Sequence, residues 1–190
     1  MRTRDDEKQE ALFLATIKLV NEIGFAASSV SKIAKEAGVS PATIYVYYKN
    51  KEDLLVSTYI SIKQDMSAAI LENFNRDLPI RDTLQTVWMN MFNYASNYPE
   101  YHQFAVQFSS SPYGELVARE EVEKYFEPII LVLQRGIDEK ILKAVNFDIL
   151  AAFMFQPIIF LSNSKTCGDF EPNPENINTA FTLAWDAIKL

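Results

Sequence analysis

Residues 28–55 read SSVSKIAKEAGVSPATIYVYYKNKEDLL, and this stretch decides how the chain folds. It predicts two short helices that open at Ser29 and Ser40, because a serine hydroxyl caps free N–H groups at a helix start. Gly38 ends the first helix, and Pro41 stands in the first turn of the second, where proline is tolerated. Two short helices joined by such a tight turn are typical of a helix-turn-helix unit.

The second predicted helix presents hydroxyl and small apolar groups outward. Ile44 and Tyr48 are four residues apart and share an inward face. The residues left to point outward are Pro41, Ala42, Thr43, Tyr45 and Tyr47. Hydroxyls on such a face can donate to phosphate oxygens, and small apolar groups can contact thymine methyls. The alternative interpretation is that the tyrosines pack internally and the nearby lysines serve solubility.

Charge is distributed unevenly along the chain. The 190 residues include 18 Lys and Arg against 25 Asp and Glu, a net charge of -7 that by itself argues against a nucleic-acid partner. Residues 29–51 hold four lysines and one glutamate, a net charge of +3, so the remaining residues carry a net -10. The basic segment coincides with the predicted helix-turn-helix.

Helical periodicity continues through the rest of the chain, and no strand is predicted. The expected helices cover residues 6–23, 29–37, 40–48, 51–74, 80–97, 100–108, 114–140, 147–163 and 174–189. This pattern predicts an all-α fold.

Several function classes are disfavoured by composition. The five glycines are too far apart to write a G-x-G-x-x-G or Walker phosphate loop, and one cysteine (Cys167) with one histidine (His102) cannot supply a zinc ligand set. We therefore expect no cofactor and no metal. The charged amino terminus lacks a signal-peptide core, and the longest apolar stretch, residues 149–161, is too short to span a membrane. A cytoplasmic location is expected.

Residues 12–55 resemble the TetR family of bacterial transcriptional regulators. The resemblance rests on LFLATIKLVNEIGF at residues 12–25, on the I-A-x-x-A-G-V-S core and on the T-[LI]-Y-x-x-[FY]-K-[NS]-K-E-x-L ending. It implies a three-helix DNA-binding domain with a helix-turn-helix over residues 1–53. It further implies a helical domain over residues 54–190 that binds a small effector and dimerises.

The same resemblance implies a function and a set of DNA-binding residues. The expected function is a DNA-binding regulator without enzymatic activity, a repressor that a small-molecule effector releases from a palindromic operator by moving the fourth helix. Ser29, Tyr45, Tyr47 and Lys51 match positions that hold phosphates, while Ser31, Pro41, Ala42 and Thr43 match positions that face base edges. Lys32 and Ser40 complete the predicted DNA-binding set.

Residues 56–190 are rich in large apolar side chains, and an apolar lining with a few polar groups is usual for a ligand pocket. The candidate effector-binding residues are Trp88, Phe92, Phe104, Gln107, Phe108, Tyr125, Phe153 and Gln156. His102 is predicted to be a capping or surface residue in preference to a ligand contact. Because this part of the chain has no basic cluster, the expected effector is largely apolar and either neutral or cationic.

The last two predicted helices are more apolar than one buried face requires, which indicates a partner surface. By resemblance, they pair with their copies around a two-fold axis as a four-helix interface. A homodimer would also place two recognition helices about 34 Å apart, one helical turn of DNA.

Two other interpretations remain open at this point. A helical enzyme could use paired carboxylates such as Glu120 and Glu123. A ligand-binding protein without a DNA function belongs to the same alternative. A nucleoid-type protein would bind DNA without an effector and without regard to base sequence.

Overall fold

The computed structural model describes residues 4–163 and 167–190. Over these ranges the chain forms nine α-helices, one short 3-10 helix and no strand, which confirms the predicted all-α fold. The α-helices are α1 (Arg4–Ala27), α2 (Val30–Glu36), α3 (Pro41–Tyr47), α4 (Lys51–Ile70), α5 (Ile80–Asn97), α6 (Pro99–Ser109), α7 (Arg119–Asp138), α8 (Phe147–Leu161) and α9 (Pro174–Ile188).

Several helix boundaries differ from the sequence prediction, among them the end of α4, which lies at Ile70 and not at residue 74. Gly24 leaves helical geometry (φ 77°, ψ 168°), as expected for the end of the first helix, but a further turn follows and carries α1 to Ala27. The helix predicted to begin at Gly114 begins only at Arg119, because the 3-10 helix Pro112–Leu116 takes up the preceding residues. Proline and glycine lie together in that segment, and both disfavour a regular α-helix.

The chain divides into two compact units. One unit contains the residues up to Lys63 together with Glu100–Val122, and the other contains Gln64–Pro99 together with the described residues from Glu123 onward. The boundary falls inside α4, ten residues beyond the division predicted at residues 53 and 54. The predicted boundary at residues 53 and 54 divides a DNA-binding domain from an effector-binding and dimerisation domain, and this functional division stays a prediction.

The first unit has two buried clusters. The cluster that supports α2 and α3 is small and aliphatic, and it consists of Leu12, Ala15, Ile33, Ala34, Ile44 and Leu54. The cluster between α1, α4 and α6 is larger and partly aromatic, and its members include Ile17, Leu55, Tyr59, Ile62, Phe104 and Phe108. Close packing of both clusters fixes the relative positions of helices α1, α2, α3, α4 and α6 within this unit.

The second unit is built on a single large core from α5, α7, α8 and α9. Trp88 is fully buried there, its indole Nε1 donates to the Met154 carbonyl at 2.9 Å, and its ring stacks on Phe92 at 5.7 Å. The buried indole is therefore fully satisfied. Of the described helices, none combines the length and the apolar character needed to span a membrane.

Candidate DNA-binding site

Helix α2 begins where the sequence predicted a serine cap. Ser29 has extended backbone angles, and its Oγ accepts a hydrogen bond from the Lys32 N–H at 3.3 Å. Ile33 and Ala34 turn inward and are fully buried. This capped turn holds α2 as a short support for α3.

Gly38 makes the turn between α2 and α3 possible. Its φ of 68° lies in the left-handed region, which a residue with a Cβ adopts only with strain. The N–H groups of Gly38 and Val39 donate to carbonyls of Lys35 and Ala34, which closes the end of α2. A Cβ at position 38 would have nothing within 4 Å, so the requirement for glycine is conformational and not steric.

Helix α3 is capped by Ser40, whose Oγ accepts from the Thr43 N–H at 3.2 Å, and Pro41 occupies the first turn. Ile44 is fully buried and Tyr48 packs against the same cluster, which confirms the predicted inward face. Pro41, Ala42 and Tyr45 are exposed, while Thr43 and Tyr47 are half-buried. Tyr47 also packs against this cluster, so the predicted outward face is confirmed for Pro41, Ala42 and Tyr45 and only in part for Thr43 and Tyr47.

Two tyrosines of α3 differ in their hydrogen bonding. The Tyr47 hydroxyl donates to Asp5 Oδ1 of α1 at 2.9 Å, and burial together with this hydrogen bond raises the pKa of Tyr47. Tyr45 is 58% exposed, and its hydroxyl has no hydrogen-bond partner among the residues that the structure describes. Tyr45 is thus free to take an acceptor from outside the protein.

Two lysines of the predicted set bind the carboxyl end of α1. Lys51 Nζ donates to the Phe25 carbonyl at 2.6 Å, and Lys32 Nζ donates to the Ala27 carbonyl at 3.0 Å. Their ammonium groups satisfy carbonyls that have no partner within the helix. These lysines therefore have a structural contact in the DNA-free protein, and their phosphate contacts stay a prediction. Ser29, Ser31, Lys32 and Ser40 are all exposed.

Sequence reasoning missed three residues of this surface. Val46 is 75% exposed on α3, and its spacing of four from Ala42 could have revealed it. Asp5 contacts Tyr47 across 42 residues, and Lys18 pairs with Glu36 at 2.6 Å to join α1 to α2. The Glu36 carboxylate, as hydrogen-bond acceptor and as charge, raises the pKa of Lys18. Long sequence separation leaves no signal for either contact.

The predicted effector-binding residues fall into different surroundings. Trp88 and Phe92 lie in the core of the second unit, while Phe104 and Phe108 lie in the core of the first. Gln107 of the first unit donates through Nε2 to Asn21 Oδ1 at 3.2 Å. In the second unit, Tyr125 accepts from Gln64 through its hydroxyl, and Phe153 and Gln156 are exposed on α8. Their common role in one effector pocket stays a prediction.

The second unit contains a cavity that no sequence pattern indicated. It has a volume of about 390 Å³ and is lined by Phe74, Arg76, Glu127, Pro128, Leu131, Val132 and Arg135. Arg135 is held by the carbonyls of Arg76 and Leu78, which fixes one wall.

The capped helices, the turn at Gly38 and the exposed face of α3 define a helix-turn-helix DNA-binding protein. A family model described as "Bacterial regulatory proteins, tetR family" matches residues 12–58, and one described as "Tetracyclin repressor-like, C-terminal domain" matches residues 79–189. The chain belongs to the TetR family and is a DNA-binding transcriptional regulator. Repression and release by an effector are typical of this family, which is generally non-enzymatic.

Relatives with known sequences and structures agree with this assignment. An HTH-type transcriptional regulator of Haemophilus influenzae is 25% identical over 189 residues and covers the whole of both chains. The crystal structure of a TetR family transcription regulator from Marinobacter aquaeolei VT8 is 35% identical, with a TM-score of 0.89, and covers 100% of this chain and 99% of that one. A TetR family protein from Vibrio parahaemolyticus is 25% identical, with a TM-score of 0.79, and covers 96% and 99%.

Proposed function

We propose that this regulator binds a palindromic operator as a homodimer and represses transcription until a small effector releases it. The observation that carries the proposal is the exposed face of α3, where a tyrosine hydroxyl without a partner lies beside small apolar residues. On this face Tyr45 and Tyr47 contact phosphates, while Pro41, Ala42 and Thr43 face base edges. Ser29, Ser31, Lys32, Ser40 and Lys51 complete the interface from α2 and from the start of α4.

The proposed dimer interface lies on α8 and α9. Ile149, Phe153 and Phe160 of α8 are 49%, 59% and 57% exposed and follow one helical stripe, and Leu183 of α9 is 67% exposed. Helix α8 contains a single charged residue, Asp148. A large apolar surface with so little charge supports pairing with an identical surface, as in a four-helix interface.

An effector lowers operator affinity only if it binds the DNA-incompetent state more tightly. The relatives' names do not define its class for this chain. The Fatty acid metabolism regulator protein of Bacillus subtilis is 39% identical over only 69 residues, 36% of this chain. That match is shorter than the predicted effector domain. We infer a cytoplasmic location, because the operator of a bacterial regulator lies on the chromosome.

Operator binding is tested with a labelled fragment of the protein's own promoter and a scrambled fragment of equal length. Fluorescence anisotropy measures both dissociation constants at several salt concentrations, and size-exclusion chromatography with light scattering gives the oligomeric state. We expect a dimer that prefers the promoter fragment by about a thousandfold or more. Equal affinity for both fragments with a steep salt dependence would indicate a nucleoid-type protein and contradict the proposal.

A further inference from the structure

Lys63 on α4 is a half-buried lysine of the first unit with no acidic partner. Its Nζ lies 5.3 Å from the ring centroid of Tyr59, one turn earlier on α4. Two more exposed lysines pair closely with carboxylates: Lys18 reaches Glu36 at 2.6 Å and Lys189 reaches Asp186 at 2.7 Å. Within the described ranges, Lys63 makes neither a hydrogen bond nor an ion pair.

This arrangement is costly for a cation. Removing an ammonium group from water without a counter-charge is unfavourable, and the ring of one tyrosine offsets only part of that cost. Consistent with this, burial lowers the pKa of Lys63. Among the described residues, Arg135 Nε is the one side-chain nitrogen or oxygen that is fully buried without a hydrogen bond. Lys63 Nζ also has no hydrogen bond, so it is not fully buried and keeps some contact with solvent. A ligand atom can therefore reach the Lys63 ammonium group.

The surroundings of Lys63 are apolar and aromatic. Tyr59 stacks on Phe108 at 4.4 Å with an interplanar angle of 14°, and Phe104 packs in the same cluster from α6. His102 of α6 is close enough for the Lys63 charge to contribute, after burial, to lowering the pKa of His102. A neutral imidazole and three aromatic rings do not neutralise the cation. The Lys63 ammonium group therefore has no counter-charge among the described residues.

We propose that Lys63 binds the carboxylate of an amphipathic effector that carries one negative charge on an apolar body. The proposal rests on the proposed function, since it names the chemical class of the effector that releases the operator. It changes the expectation of a neutral or cationic effector, which considered only clusters of basic residues. A single half-buried lysine is sufficient for one carboxylate, because a charge-assisted hydrogen bond is stronger where the access of water is reduced.

The test compares three probes with the same ten-carbon chain: decanoate, 1-decanol and decylammonium. Fluorescence anisotropy measures how each probe changes the affinity of the full-length protein for its operator, and thermal unfolding measures binding directly. We expect decanoate to act at concentrations about ten-fold to a hundred-fold lower than 1-decanol, the range expected for one charge-assisted hydrogen bond. Decylammonium should be the weakest, because like charges repel.

Variants assign this preference to Lys63. In Lys63→Met, which keeps an unbranched apolar stem and removes the ammonium group, decanoate and 1-decanol should become equivalent within about two-fold. Lys63→Arg should keep the preference for decanoate, and so should Lys124→Met, which removes an exposed lysine of α7. Retention of the preference in Lys63→Met would overturn the proposal, as would a wild-type protein that does not distinguish the headgroups.

A readout on the wild-type protein needs no variant. His102 is the only histidine of the chain, so its imidazole proton resonance is unambiguous. A carboxylate on Lys63 would offset the positive charge that helps to lower the pKa of His102, so decanoate should raise this pKa and 1-decanol should not. A protein that binds no operator but shows this shift would contradict the proposed function alone. Operator binding without the shift would contradict the effector proposal alone.

Discussion

The face of α3 and the face of α8 both expose large apolar side chains, yet they differ in what surrounds those side chains. On α3, Tyr45 and Val46 are exposed beside serine and threonine hydroxyls, in a segment of net charge +3. On α8, Phe153 and Phe160 are similarly exposed, and the helix has only Asp148 as a charged residue. Exposure alone therefore does not define a partner. The polar groups around the exposed side chains distinguish the proposed DNA-binding face from the face proposed to pair with its own copy.

The hydrophobic packing beneath the α3 face also differs from the packing beneath the α8 face. Helices α2 and α3 have seven residues each, a serine cap at each start, and a shared cluster of six aliphatic residues to which they themselves contribute three. Helix α8 has 15 residues and rests on the large core that includes Trp88 and Phe181. The short capped helices α2 and α3 hold a few polar groups at fixed positions, whereas the longer helix α8 presents a larger apolar surface.

The largest expected effect comes from placing a charge on the α8 face. Phe153→Asp should convert the dimer to a monomer and weaken operator binding about a hundredfold or more, because the two half-sites no longer bind as one unit. Light scattering and anisotropy measure the two results. Leu131→Asp on α7 is the matched control, since Leu131 is 57% exposed and Phe153 is 59% exposed. A dimeric Phe153→Asp protein would remove the distinction between the two faces.

Two glycines test the supports separately. Gly38→Ala should lower the free energy of unfolding by about 1 kcal/mol, because the residue has a φ of 68°, and it should also weaken operator binding by disturbing the turn before α3. Gly136→Ala should cost about 1–3 kcal/mol, because its Cβ would lie 2.6 Å from Leu142 Cδ1 and 3.3 Å from Ile80 Cγ2.

Urea unfolding measures both losses of stability, and anisotropy at a temperature where each variant is folded measures operator affinity. Gly136→Ala should leave the affinity within about two-fold of the wild type. An equal loss of affinity in both variants would show that the two supports do not act separately.

Tyr45 allows the proposed DNA-binding face of α3 to be tested at a single side chain. Tyr45→Phe should weaken operator binding about five-fold to ten-fold, because a hydroxyl that has no partner in the free protein loses its phosphate acceptor in each half-site. Circular dichroism and light scattering should show unchanged helix content and an unchanged dimer. An affinity equal to that of the wild type would remove Tyr45 from the proposed interface.

The smallest effect concerns the response of the two units to acid. Burial, and then the charge of Lys63, lower the pKa of His102 below 6.5. Above that pH the residue is neutral in both the folded and the unfolded chain, so it has no effect on stability. As the pH falls below 6.5, the unfolded chain binds a proton that the folded chain does not, and the free energy of unfolding decreases.

Hydrogen exchange at pH 7.5 and 5.5, in the wild type and in His102→Asn, measures this contribution. The difference between the two proteins should appear in α6 and α4 of the first unit and not in α8 or α9. A difference that appears equally in α8 and α9 would contradict the assignment.

The helix-turn-helix could be predicted from sequence almost residue by residue, because its signals are local. Serine caps, a glycine between the helices and the spacing of Ile44 from Tyr48 all act within a few residues. The predicted start of α7 at Gly114 is wrong, because Pro112 and Gly114 both lie in the 3-10 helix that precedes α7.

The candidate effector residues show the limit of such reasoning. Helical spacing paired Trp88 with Phe92 and Phe104 with Phe108, and the structure keeps each pair together. The pairs nevertheless belong to different cores, which no local pattern indicates. Lys63 was missed because a single lysine carries no sequence signal, and only packing shows that it has no acidic partner.

The hydrogen bond between Tyr47 and Asp5 has a consequence for the energetics of DNA binding. In the free protein the Tyr47 hydroxyl already donates a hydrogen bond to the Asp5 carboxylate, and the same hydroxyl is proposed to donate to a DNA phosphate. Docking on DNA would then exchange one anionic acceptor for another, and the number of hydrogen bonds made by Tyr47 would stay constant. Such an exchange contributes little net affinity. Asp5 thus takes the place of a DNA phosphate in the free protein and keeps the Tyr47 side chain oriented. The proposed Tyr47 contact would then position the protein on DNA more than it would raise the affinity.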